Sequence, residues 1–126
     1  MPGDKITSFT KLIAWEQSHK LVIAVLGACE DLPKTDSLRN QMERCAISIT
    51  SNIAEGFGRQ SLKDKKHFYI IARGSAFELQ NQLLIARDTK RFTEEIFQEL
   101  AKLSLDSIRL LHGLIRSLTR SQNANS

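Results

Sequence analysis

The sequence predicts an all-α protein, an antiparallel up-and-down four-helix bundle, and three observations carry that prediction. Apolar residues recur at alternating steps of three and four along nearly the whole chain, the period of an amphipathic helix. Only two prolines and six glycines occur in 126 residues, so long uninterrupted helices are permitted. No stretch alternates apolar and polar residues as a half-buried strand would, and aromatics are only 6% of the chain.

The first segment, about residues 9–30, carries a stripe of Leu12, Trp15, His19, Val22, Leu26 and Cys29. The stretch DLPKTDS, residues 31–37, interrupts it with proline and short polar residues. The second, about residues 37–56, has Asp36 or Ser37 as N-cap and a stripe of Leu38, Met42, Cys45, Ile49 and Asn52. Gly56 and Gly58 follow as residues that end a helix at low steric cost. The third, about residues 62–89, opens on Ser61 with Asp64 three residues on, a weak capping box. Its stripe is Phe68, Ala72, Ser75, Leu79, Gln82 and Ala86, flanked by Ile71, Leu83 and Ile85. Thr93, with Glu94 and Glu95 behind it, starts the fourth segment, about residues 93–120. Ile96, Leu100, Leu103, Leu110, Leu111, Leu114 and Leu118 give that segment a wide apolar face, and residues 121–126 read as a disordered tail.

Length and composition bound the class. A chain of 126 residues holds one domain, and 41% hydrophobic with 25% charged residues is ordinary for a globular protein. No apolar run approaches the roughly 20 residues of a membrane span, and the start MPGDKITSF lacks a signal-peptide pattern. Two cysteines, Cys29 and Cys45, lie in helical patterns about 9 Å apart in height at 1.5 Å per residue, which disfavours a disulfide. The expectation is a cytoplasmic, reduced protein with no membrane partner.

The net charge of +4 conceals an asymmetry. Short connections favour antiparallel neighbours. One end then gathers Lys5 and Lys11, the connection with Arg59, Lys63, Lys65 and Lys66, and Arg116 and Arg120, against Asp4, Glu55 and Asp64. The other gathers Lys34, Arg39, Arg87, Lys90 and Arg91 against Glu30, Asp31, Asp36, Asp88, Glu94 and Glu95. The first end is the place for an anionic partner.

The run QMERCAISITSNIAEGFGR, residues 41–59, then IARGSAFELQNQLLIAR, residues 71–87, resembles a bacterial four-helix-bundle family. It is the family encoded in intervening sequences of 23S ribosomal RNA genes. NIAEG followed by GR, and GS-x-x-EL downstream, make the match specific, and it reaches back to Leu12, Trp15 and His19. The fourth segment matches in pattern alone, and DLPKTDSL departs from the family's usual first connection. The resemblance implies a homo-oligomer, a ring-like pentamer in related proteins. The accessory proteins of diversity-generating retroelements are similar in fold, and they bind structured RNA and a reverse transcriptase through a basic surface. Structured RNA, and a reverse transcriptase or another nucleic-acid enzyme, are therefore the implied partners.

The signature residues are Arg44, Asn52, Glu55, Gly56, Gly74, Ser75 and Glu78. The Asn52 amide is placed to satisfy backbone groups of the connection, Glu55 pairs with Arg59 at i, i+4, and Gly56 terminates the helix. Gly74, Ser75 and Ala76, with Ala72 before them, thin the third helix for a close approach, inside the bundle or between subunits. Arg44 and Glu78 fall at one height and are expected to form a buried pair. No histidine and acid are spaced to activate Ser75, no second carboxylate stands near Glu55, and GFGRQS follows a helix and lacks a third glycine. His19, His67 and His112 share no HExxH or CxxC spacing. No catalytic, cofactor or metal residues are assigned, and the protein is read as a non-enzyme. The reading is an RNA-binding nucleoprotein accessory in which Lys11, Arg59, Lys63, Lys65, Lys66, Arg116 and Arg120 contact phosphates. The alternative is a protein-interaction scaffold without nucleic acid.

Overall fold

The computed structural model describes residues 8–125. A 3₁₀ turn, Ser8–Lys11, leads into four helices: α1 (Ile13–Cys29), α2 (Ser37–Phe57), α3 (Leu62–Asp88) and α4 (Glu94–Asn125). Three start where short polar side chains satisfy amides that no helical carbonyl can reach. Asp36 accepts from the Arg39 N–H at 3.0 Å, Ser61 from Asp64 at 3.1 Å and Thr93 from Ile96 at 3.2 Å.

Neighbouring helices run antiparallel. Arg73 meets His112, Gln80 meets Ser104 and Arg87 lies over Phe97, so partner numbers fall along α4 as they rise along α3. The same holds for Cys45 with Ser75 and Gly56 with Tyr69 across α2 and α3. Each helix packs on its sequence neighbours and α1 closes against α4, the arrangement of an up-and-down bundle. The core is apolar on all four helices, with Leu21, Met42, Ile49, Ile53, Leu79 and Leu111 among the fully buried side chains. Each such side chain contributes about 1.5–3 kcal/mol of transfer free energy.

Several expectations are corrected. On α1 the buried residues are Ala14, Ser18, Leu21, Val22, Val25 and Cys29, so Val22 and Cys29 of the expected stripe are in the core, whereas His19 is exposed and stacks on Trp15 at 4.6 Å. The LVIAVLGAC stretch is apolar on every face, so periodicity did not select one, and Ser18 turns inward because Ser107 meets it at 2.7 Å. Gly56 does not terminate α2, which continues through Phe57. No glycine among the described residues has a positive φ; that conformation falls to Lys90, at 60°. There the Arg91 and Lys90 amides donate to Ala86 and Arg87 carbonyls, closing a Schellman-type end on α3. Residues 121–125 continue α4 and are not a frayed tail. Thr119 and Ser121 donate to the carbonyls of Ile115 and Ser117, so their hydroxyls follow the helix instead of competing with it.

Candidate nucleic-acid interface

The α2–α3 connection, the end of α4 and the 3₁₀ turn lie at one end of the bundle, as the antiparallel contacts require. Lys63, Arg116, Arg120 and Lys11 are exposed there, and Lys66 is half-buried. Among the described residues these five have no carboxylate partner. Lys5 and Asp4, also assigned to this end, lie outside the described residues.

Arg59 and Lys65 have local work. Arg59 donates to Glu55 at 2.6 Å, the i, i+4 pair read from the sequence, and lies over the Phe68 ring. Lys65 donates to the Phe57 carbonyl at 2.7 Å, filling an acceptor left open at the C-terminus of α2. Both hold the connection in shape. The Arg59–Glu55 pair is exposed on both sides, so it contributes little and leaves the guanidinium able to turn to another anion.

The opposite end differs. Arg91 donates to Asp36 at 2.9 Å, Arg87 to Asp88 at 2.9 Å, and Arg39 to Glu43 at 3.3 Å and to the Leu32 carbonyl. The Arg39 amide and then the Arg91 guanidinium hold the Asp36 carboxyl below its ordinary range, and hydrogen bonding to Asp88 raises Arg87. The three arginines at that end are held by acids of the same chain, while Lys34 and Lys90 are exposed there with no carboxylate partner among the described residues. The ends differ in their arginines: Arg116 and Arg120 at the basic end have no carboxylate partner among the described residues.

The signature residues serve packing more than chemistry. Asn52 reaches back within α2, donating to the Ser48 carbonyl at 2.8 Å and its hydroxyl at 3.1 Å, and not to the connection. Gly56 is where α3 presses closest: a Cβ there would stand 2.8 Å from Tyr69 Cε1 and 3.0 Å from Phe68 Cβ. Gly74 faces open space, so the thinness of α3 at that point serves no approach inside the bundle. Ser75 shares a hydrogen bond with Ser48 at 3.0 Å, and its carbonyl accepts from the Cys45 thiol at 3.0 Å. Arg44 and Glu78 do not form the buried pair expected; both are exposed and line one cleft without pairing. The α2–α3 surface is open at that height, and water solvates each charge more cheaply than burial would allow.

Cys29 and Cys45 are buried and unbonded to each other; burial, foremost, pushes both thiols from an ordinary 9.0 up to about 11. Arg73 donates to His112 Nδ1 at 3.0 Å, and His67 packs edge-on to Phe68. Among the described residues no three His, Cys, Asp or Glu side chains gather as a metal site would need. No helix among them is long and apolar enough to cross a membrane.

The sequence pattern described as 23S rRNA-intervening sequence protein matches residues 10–113, which takes in most of α4 as well as the signature. The chain belongs to the 23S rRNA-intervening sequence protein family. No curated protein matches it. The crystal structure of a protein of unknown function from the S23 ribosomal protein family of Bacteroides thetaiotaomicron superposes with a TM-score of 0.76 at 23% identity. The match covers 82% of this chain and 98% of that one, a likeness of fold. Within the family frame, the residues missed from sequence are Ser18, Ser104 and Ser107, polar groups buried in the core, whereas Gln82, also buried, stood on the stripe read for α3. Their only sequence signal was a polar residue on an apolar phase.

Proposed function

We propose that this member of the family is a non-enzymatic RNA-binding accessory protein that acts as a homo-oligomer, with a pentamer the arrangement that the sequence resemblance implies. The observation that carries the reading is the contrast between the two ends. At the far end Arg39, Arg87 and Arg91 are paired within the chain and Lys34 and Lys90 are not, whereas at the basic end Lys11, Lys63, Lys66, Arg116 and Arg120 are all left unpaired among the described residues. A phosphate backbone is the anion that such a scattered set of flexible cations suits, because it is read by charge and shape. Tyr69 is buried, so it offers no stacking platform for a single strand.

Exposed apolar residues support self-association. Ile70, Phe77 and Leu84 stand seven residues apart on α3, with Gly74 open between the first two. A second copy packed there would repeat the basic end around an axis and multiply its charge. A reverse transcriptase or another nucleic-acid enzyme is the class of protein partner such an accessory would serve. Catalysis is not part of the reading: the Ser75 hydroxyl is engaged by Ser48, and the cleft they line holds no histidine.

The test is fluorescence anisotropy with a labelled, structured RNA at about 50 and 200 mM salt, with the oligomer mass measured in the same buffers. Binding should fall by orders of magnitude over that range. Reversal of Lys63, Lys66, Arg116 and Arg120 to Glu should flatten the log–log salt slope by about 0.7–0.9 per lost contact. An intact oligomer that fails to bind at the lower salt overturns the proposal and leaves the protein-scaffold reading.

A further inference from the structure

The half-buried arginines among the described residues are Arg39, Arg73, Arg87 and Arg91. Three of them hold a carboxylate: Arg39 holds Glu43, Arg87 holds Asp88 and Arg91 holds Asp36. Arg73 is the exception. It has no carboxylate partner among the described residues, and the group it reaches, at 3.0 Å, is Nδ1 of His112 on α4. A guanidinium only donates, so Nδ1 accepts, and the imidazole is neutral with its proton on Nε2. Arg73 is thus held by a partner that orients its charge without neutralising it. A charge drawn partly out of water and left without a counterion is costly, and it marks a place where an anion belongs.

The surroundings have the same sign. Residues 65–77 of α3 include no Asp or Glu, and neither does the chain from 107 onward, the part of α4 that lies opposite. Lys66 stands seven residues before Arg73, about two turns away on the same side of α3. Arg116 stands four residues beyond His112, one turn along α4. Because the helices run antiparallel, both steps lead toward the basic end, where Asp64 in the first turn of α3 closes the acid-free stretch. The α1–α2 side of that end differs. It carries Glu16 and Glu55, and Glu55 already holds Arg59.

We infer that Arg73 grips a backbone phosphate of the bound RNA, which runs from the basic end up the groove between α3 and α4. Lys66 and Arg116 lie along its path, and His112 is the residue that positions the guanidinium. The inference rests on the RNA-binding reading and gives it a direction, one face of the bundle instead of its whole end. Arg73 spends one of its donors on His112 and keeps a planar pair for two oxygens of one phosphate. Lys66 lies about 10 Å away at 1.5 Å per residue, too far to share that phosphate, so each cation releases its own counterion. The Ile70–Phe77–Leu84 line falls about 40° further round α3 at 100° per residue, and a second copy seated there borders the groove.

Anisotropy with the same labelled, structured RNA tests it on the intact oligomer, from about 50 mM salt upward. Arg73→Gln should weaken binding about threefold or more and flatten the log–log salt slope by about 0.7–0.9, the release of one phosphate contact. Lys20→Gln, which removes an exposed cation from the diagonal helix α1, should change neither. Arg73→Lys keeps the charge and loses the planar fork, so it should weaken binding with the slope retained. His112→Phe removes the acceptor and should weaken binding, whereas His112→Gln keeps an amide oxygen for Arg73 and should restore it. Oligomer mass and melting temperature, matched across the variants, separate lost contacts from lost folding. If the native chain binds RNA and both Arg73 variants bind as tightly with the same slope, this inference falls and RNA binding stands. If the native chain does not bind at the lower salt, both fall. An equal loss from Lys20→Gln also overturns it, as does a crystal structure in which a neighbouring subunit's carboxylate holds Arg73.

Discussion

Gly56→Ala is the most informative single substitution in the bundle. The added methyl carbon would stand 2.8 Å from Tyr69 Cε1, 3.1 Å from Tyr69 Cδ1 and 3.0 Å from Phe68 Cβ, where carbon atoms prefer about 3.5–4.0 Å. Neither neighbour can swing away. The Tyr69 ring is buried, and the Phe68 Cβ is fixed to the α3 backbone. Relief requires α3 to shift from α2, and overpacking of this kind costs about 1–3 kcal/mol. Against it stands the helix preference of alanine over glycine, about 0.8–1 kcal/mol. The net is a loss of up to roughly 2 kcal/mol, or up to about 10 °C in melting temperature for a chain of this size. Gly74→Ala and Gly113→Ala meet nothing within 4 Å and keep only the helix gain, so each should melt about 3–5 °C higher. Urea unfolding followed by circular dichroism, at matched oligomer mass, measures all three. Equal stabilisation of Gly56→Ala and Gly74→Ala would refute the close approach.

Other outcomes follow from the same geometry. Ser18→Ala or Ser107→Ala alone should cost about 1–3 kcal/mol by stranding the other hydroxyl, while the double replacement costs less than the sum; an additive double-mutant cycle removes the coupling. Cys29 and Cys45, with thiols raised to about 11, should resist alkylation at pH 8 until urea unfolds the chain, and full labelling of the folded protein would contradict their burial. The same raised thiols favour the folded state below pH 9.0 and lose that contribution as pH climbs toward about 11, so stability should decline through that window. Asp36, depressed by the Arg39 amide and by Arg91, contributes stability at neutral pH that is lost as pH falls below the ordinary carboxylate range. Asp36→Asn should therefore flatten the acid limb of the stability–pH curve, and an unchanged limb would dismiss the contribution.

Much of this molecule was legible because the signals were local. Asp36, Ser61 and Thr93 announce helix starts through the reach of one short side chain to an amide three residues on. The Glu55–Arg59 pair needs only the helical repeat. The stripe Leu38, Met42, Cys45 and Ile49 sits on one clean face with polar residues opposite, so its burial could be read directly. The α1 stretch LVIAVLGAC gave no such contrast, and the choice of Ser18 over His19 for the interior was lost with it. Gly56 looked like a terminator because glycine often ends helices, yet its φ is ordinary and its role is steric. Arg44 and Glu78 share a height, but height alone does not say whether a surface closes over them.

The sequence by itself determined the helices, their order and the sign of each end, since period, capping and charge are carried by residues near one another in the chain. The tertiary structure decided which polar groups found partners. Ser18 met Ser107 across 89 residues, Arg91 reached back to Asp36, and the buried Gln82 Oε1 was left unmatched. Those outcomes depend on how far each helix rotates about its own axis when it packs. A rotation of that kind exchanges buried for exposed polar groups without altering the helical pattern from which the bundle is read.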